Sequence, residues 1–171
     1  AWSDHLACYF NIIPPTVTSS RNLVEGTQEM AAYLKGLLAE RRARPESDLL
    51  SQLAQSDLAE EVIAANAMVL LVAGHETTRN LLGSAIALLL EHPTEMAKVR
   101  EDRSLIPRLI EETLRCEPAN PMMARAVAED FDYQGHPFRS GQLVFLCIGS
   151  ANRDPEFVDD PDRFDISRKP K

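Results

Sequence analysis

Chemistry is concentrated in Ala73-Gly74-His75-Glu76-Thr77-Thr78, set in the middle of a long apolar stretch. A carboxylic acid beside an alcohol can pass protons to a small polar reactant, and Ala73 and Gly74 are small enough to let that reactant approach the backbone. A plainer arrangement has Thr77 bonding back to a carbonyl one turn earlier and Glu76 pairing with Arg79 or Asn80. The apolar turns on either side favour the chemical reading. A buried carboxylate without a purpose is costly, and displaced acids gather at functional sites.

Three further groups stand out. Glu112 and Arg115 lie three apart on a predicted helix, a spacing that by itself describes a surface ion pair worth a few tenths of a kcal/mol. Arg163, inside Asp160-Pro161-Asp162-Arg163-Phe164, is a candidate third member, since two arginines and one glutamate can pin a loop to a helix. Arg125, at the start of a strand-like run, is either a rim arginine at a sheet edge or a fork aimed at a ligand carboxylate. The preceding Met122 and Met123 read as core at least as readily as pocket lining.

The elements that must position these residues are mostly helices. A helical stretch is predicted over about Trp2 to Phe10, stopped by Pro14-Pro15, and a second over about Ser19 to Arg42, broken by Pro45. Asp48 can cap a short helix through Leu49, Leu50 and Leu53, and Asp57 a long one from about Leu58 to Glu91. That long helix is apolar on nearly every side over Val62–Val72 and Leu81–Leu90, which predicts burial. Helices from Thr94 to about Glu101 and from Ile106 to Arg115 follow. Past Pro121 the pattern turns β-like over Ala124–Ala128, Phe131–Gln134 and Leu143–Cys147, and from Asn152 onward it is coil.

Composition narrows the function classes. The chain has 171 residues, 44% of them hydrophobic, and a net charge of −8, which repels phosphate backbones and disfavours nucleic-acid binding. Arg41-Arg42-Ala43-Arg44 and Arg168-Lys169 read as a solvated helix end and a tail. Cys8, Cys116 and Cys147 form no short-spaced motif, and the absence of a signal peptide suits a reducing cytoplasm. His5, His75, His92 and His136 show no metal-ligand spacing. The apolar run Val62–Gly74 is too short to cross a bilayer, so no membrane association is expected.

Taken in order, these residues resemble the cytochrome P450 family, specifically its soluble bacterial members, over essentially the whole chain. Ala73 to Thr78 matches the family's oxygen-binding helix signature, and Glu112-Thr113-Leu114-Arg115 its Glu-x-x-Arg helix. Ser150 to Pro155 and Asp160 to Asp165 match the approach to its meander, with Arg163 completing a Glu-Arg-Arg clamp. The resemblance implies a mainly α fold with a small β portion, part of the cytochrome P450 fold. It divides the chain into a helical part (1–117), a small β part (118–150) and the meander approach (151–171), one incomplete domain.

What the resemblance implies for chemistry is specific. The long helix would run over the distal face of a heme (iron protoporphyrin), with Glu76 and Thr77 relaying protons to O2 and Ala73 and Gly74 leaving room for it. Arg125 would pair with a heme propionate, and Asn120, Met122 and Met123 would border the substrate pocket. The activity implied is monooxygenation of an apolar small molecule, with electrons from a ferredoxin- or flavodoxin-type donor. One departure weighs against activity of these residues alone. The family's axial cysteine lies in a Phe- and Gly-rich loop beyond the segment matching Asp160 to Asp165, and neither Cys116 nor Cys147 has the surroundings of that ligand. With the ragged opening at Ala1 and the closing turn chemistry before Lys171, this predicts a segment of a larger enzyme, inactive in isolation, without stably bound heme. The alternative is a non-enzymatic truncated remnant acting as a helical binding or self-associating module.

Overall fold

Proline and the capping residues set the helix ends. The computed structural model describes residues 16–168, so the expected Trp2–Phe10 helix, its Pro14-Pro15 stop and Cys8 lie outside the described residues. Helix α1 is Val17–Ala43, opened by the Thr16 side chain, which accepts from the Ser19 N–H. Asp48 caps α2 (Leu49–Ala54) through the Ser51 N–H, as its residue type predicts. Helix α3 is Glu60–Glu91. It begins two residues later than the Asp57 cap implied, with the Ala59 carbonyl accepting from Val62 and Ile63 and Glu60 and Glu61 suiting the positive end of the helix. Pro93 occupies the first turn of α4 (Pro93–Glu101), where its missing N–H costs nothing. A 3-10 turn, Arg103–Leu105, leads into α5 (Ile106–Cys116).

Four short strands follow: β1 (Met123–Ala126), β2 (Phe131–Tyr133), β3 (His136–Phe138) and β4 (Leu143–Leu146). They form two antiparallel pairs, β1 with β4 (Arg125 opposite Val144) and β2 with β3 (Phe131 opposite Phe138). The tight β2–β3 turn places Gln134 at φ 52 and Gly135 at φ 79, the left-handed pair that two-residue hairpins favour. A last short helix, α6, is Ile148–Ala151. The architecture is therefore mainly α with a small β portion.

The chain divides into two compact units, Ala1–Glu76 and Thr77–Lys171. In the first, Met30, Leu34 and Leu38 form a stripe along α1 at the i, i+4, i+8 spacing of one helix face, packed with Ile63, Ala64, Ala67 and Val72. In the second, Leu88, Leu109, Cys116, Phe164 and Ile166 make the core. Helix α5 buries Leu109, Glu112, Thr113 and Cys116, an i, i+3, i+4, i+7 face that is half polar. No helix among the described residues is long and apolar enough to cross a membrane.

Burial along α3 departs from expectation. Leu82, Ile86 and Leu90 are 60%, 60% and 66% exposed, and Val69, Leu70 and Leu71 are exposed as well. Ile63, Ala64, Ala67, Val72 and Leu88 are its buried apolar side chains. A helix apolar on all sides needs neighbours on all sides. Here its packing partners cover a stripe.

Candidate functional site

Two sites emerge. The first is the middle turn of α3. Glu76 and Thr77 are half-buried, whereas Ala73 and Gly74 are exposed, and a Cβ placed on Gly74 would meet nothing within 4 Å. Thr77 and Thr78 form one wall of a recess of about 430 Å³ whose apolar lining includes Leu81, Leu114, Pro118 and Ile148. Asn120 and Asn152 supply its remaining polar groups. The Asn152 amide is engaged, donating to the Leu114 carbonyl at 3.1 Å. The recess thus pairs an apolar lining with two threonine hydroxyls and the Asn120 amide.

Of the other expected site residues, the structure brings Asn120 beside Thr77 and places the rest elsewhere. Met122 is exposed and Met123 half-buried at the head of β1, outside the recess lining. Arg125 is exposed on β1 and donates to the neighbouring Ala124 carbonyl at 2.8 Å. Its guanidinium is on a strand face open to a ligand carboxylate, and equally consistent with a rim position.

The second site is the carboxylate clamp on α5. Glu112, 5% exposed, accepts from Arg115 through both oxygens, Nε to Oε2 and Nη2 to Oε1, each at 2.8 Å. Glu112 Oε1 also accepts from the Asp165 N–H at 3.0 Å and from Arg168 Nε at 3.2 Å. Burial pushes this carboxyl up, but the hydrogen bonds from Arg115 and Asp165 and the arginine charge outweigh burial and hold it below the usual carboxylate range. Arg115 continues into the terminal segment, donating to the carbonyls of Pro161 (2.7 Å), Arg163 (3.0 Å) and Asn152 (3.2 Å). Its own pKa is raised, first by the Glu112 hydrogen bond. A fork of five donors, four of them used on fixed oxygens, makes α5 the anchor of a loop.

The expected Glu112–Arg115–Arg163 clamp is therefore corrected. The Arg163 guanidinium turns to Asp165 and stands 3.9 Å from Asp160, so Arg163 joins the clamp only through its carbonyl. The arginine whose side chain reaches Glu112 is Arg168, expected to be part of a solvated tail. The motif reading failed because Asp165, two residues away, offers Arg163 a nearer acceptor. Sequence reasoning also missed Glu95, a buried carboxylate accepting from Lys98 at 2.7 Å and from the Ile166 N–H at 3.2 Å. It missed Arg153 too, whose Nη2 donates to the Cys116 carbonyl at 2.9 Å and Nη1 to Asp162 at 2.9 Å. The Glu95–Lys98 spacing was the one available signal, and it pointed only to a local pair.

Neither described cysteine fits an axial thiolate. Burial raises the Cys116 thiol, and its sulfur sits in the core with Arg115 Nη2 at 2.9 Å and Glu112 Oε1 at 4.0 Å. A thiolate ligand needs a depressed pKa and open space for the metal, and Cys116 has the reverse. Cys147 is exposed at the start of α6 with its sulfur 4.0 Å from the Phe145 carbonyl. Among the described residues no cluster of three or more His, Cys, Asp or Glu could hold a metal ion.

The long α3 turn, the clamped α5 and the small β portion define a class. The family model for cytochrome P450 matches residues 4–168, and the chain belongs to that family. It is 40% identical over 159 residues to the biotin biosynthesis cytochrome P450 of Bacillus subtilis (strain 168), covering 89% of this chain and 40% of the relative. It is 39% identical over 175 residues to the vitamin D(3) 25-hydroxylase of Pseudonocardia autotrophica, covering 98% of this chain and 41% of that protein. Among solved structures it is similar to P450BioI in complex with hexadec-9Z-enoic acid ligated acyl carrier protein, with a TM-score of 0.88 at 38% identity over 99% of this chain and 44% of that one. It is also similar to CalO2, with a TM-score of 0.91 at 29% identity over 99% of this chain and 44% of that one. The chain spans about two fifths of the length of these relatives.

Proposed function

We propose that these residues form the oxygen-handling turn and the carboxylate clamp of a heme-thiolate monooxygenase, an oxidoreductase that inserts one oxygen atom from O2 into an apolar small molecule. Thr77 holds and passes a proton through its hydroxyl, Glu76 resupplies it, and Ala73 and Gly74 leave space for O2. Arg125 pairs with a heme propionate, and Asn120, Met122 and Met123 border the substrate. Glu112 and Arg115 hold the terminal segment and take no part in the chemistry. A ferredoxin- or flavodoxin-type protein supplies electrons in the cytoplasm. The 171 residues act as one incomplete domain: without a cysteine that fits the axial position they neither bind heme through sulfur nor turn over.

The observation that carries this reading is the half-buried Glu76-Thr77 pair in α3, with Thr77 facing an apolar recess. Family membership supports it, as does the apolar acyl chain borne by the carrier protein bound to P450BioI. The test has two arms. In the complete enzyme, Thr77→Ala and Glu76→Gln should each lower product formed per O2 consumed by roughly hundredfold, the scale of a lost positioned proton donor; unchanged coupling in both sinks the proton role. For the chain alone, incubation with hemin followed by reduction under CO should give no thiolate-type Soret band, and a normal band refutes its predicted inactivity.

A second reading is favoured by one observation, the exposed Leu82, Ile86 and Leu90. It makes the chain a non-enzymatic module that covers this stripe by self-association. Size-exclusion mass of the heme-free chain decides: a well-behaved monomer excludes it.

A further inference from the structure

The segment Asp159–Arg168 holds two arginines with opposite environments. The Arg163 side chain is 61% exposed and the Arg168 side chain 18%. Arg163 meets only Asp165 and, at 3.9 Å, Asp160, both within its own loop. Arg168 instead donates to Glu112 Oε1 at 3.2 Å and to the carbonyls of Asp159, Asp160 (3.1 Å) and Arg163 (2.8 Å). Two of those carbonyls belong to Asp160, at φ 48, and its neighbour Asp159. A left-handed residue other than glycine persists only where its surroundings hold it there.

From this asymmetry we infer that Arg168, not Arg163, is the positioning residue that closes the Glu112–Arg115 clamp, acting through Glu112 and the backbone of Asp159–Arg163 to keep Phe164 and Ile166 in the core. The two arms differ in physics. The Nε contact places a positive charge on a buried carboxylate, a charge-assisted bond of the stronger kind. The two Nη groups bind carbonyls on both sides of the left-handed turn, which a point charge could not do. Around Glu112 stand Arg115 and Cys116 from α5, and Asp165 and Arg168 from the terminal segment. From α4, Lys98 lies 4.0 Å from Asp165, and Glu95 binds the Ile166 N–H. Removing Arg168 leaves Glu112 with one cation in hydrogen-bond contact. The inference is independent of any oxygen chemistry.

The experiment uses the 171-residue chain with acid unfolding followed by far-UV circular dichroism and limited proteolysis mapped by mass. Arg168→Gln should raise the acid midpoint by about one pH unit, since Glu112 loses a neighbouring positive charge. It should also speed cleavage within Asp159–Arg163 roughly tenfold or more. Arg168→Lys keeps the charge and loses the fork, so the acid midpoint should return towards that of the parent while the fast cleavage remains. Arg163→Gln should leave both readouts at parent values. An Arg163→Gln effect equal to or larger than that of Arg168→Gln, or an unmoved acid midpoint in Arg168→Gln, overturns the assignment. If Arg168→Gln does not fold, the comparison of Arg168→Lys with Arg163→Gln decides: faster cleavage in the lysine variant supports the inference, and faster cleavage in Arg163→Gln defeats it.

Discussion

Replacing Glu112 by Gln removes one negative charge and almost no volume from the most heavily bonded carboxylate of the second unit. Four donors converge on it at 2.8, 2.8, 3.0 and 3.2 Å. An amide must turn its NH2 towards one of these donors and cannot balance the charges of Arg115 and Arg168, whose side chains are 12% and 18% exposed. Removing one partner of a buried pair costs about 3–5 kcal/mol, against a total of about 5–15 kcal/mol for a folded domain. With a urea slope of about 2 kcal/mol/M, the unfolding midpoint should fall by roughly 2 M. Glu112→Asp, which keeps the charge one methylene short, should fall between the two. The pH dependence has a definite sign. The folded carboxyl is held below its ordinary range, so its stabilisation is complete above that range and is lost as pH drops through the depressed value. The gap between parent and Glu112→Gln should therefore narrow on acidification. Urea titrations of both chains at neutral and acidic pH, read by far-UV circular dichroism, test this. A neutral-pH midpoint unchanged by Glu112→Gln, or a gap that widens in acid, refutes the reasoning.

Other expectations follow from single contacts. Leu38, fully buried in the first core, should cost about 2–5 kcal/mol when cut to Ala, visible as a lower thermal midpoint. Asp48 is held to about 2, first by its hydrogen bond with Arg41 and then by the Ser51 N–H. Asp48→Asn should keep the α2 cap but lose the pair, and so destabilise less than Asp48→Ala, with both differences fading as pH falls through that value. Gly135→Ala forces a side chain onto φ 79 and should cost about 1 kcal/mol, read as faster amide exchange in the β2–β3 hairpin. Asp160→Gly should be tolerated at φ 48 and Asp160→Val should not, distinguishable by proteolysis of that loop.

Local features were legible in the sequence because local chemistry decides them. Asp48 as a cap, Pro93 in a first turn and the Glu112–Arg115 spacing each follow from residue type and separation. β3 was missed because Pro137 sits inside it. Proline is barred from strand interiors but tolerated in a pair with a free edge, where Pro137 faces Asp132. Arg168 was missed because 56 residues separate it from Glu112, and most of its other acceptors are backbone carbonyls, which no side-chain pattern announces. The burial predicted for α3 failed for a related reason: apolarity is written in the chain, whereas cover depends on which neighbours are present.

The bare Leu82, Ile86 and Leu90 also govern how this molecule must be handled. Environment-sensitive dyes that brighten on greasy surfaces are ordinarily taken as reporters of a loosened, molten state. In this chain the native form already offers them a landing strip, so a strong signal at rest signifies intact structure. Denaturation monitored this way should begin bright and grow dim.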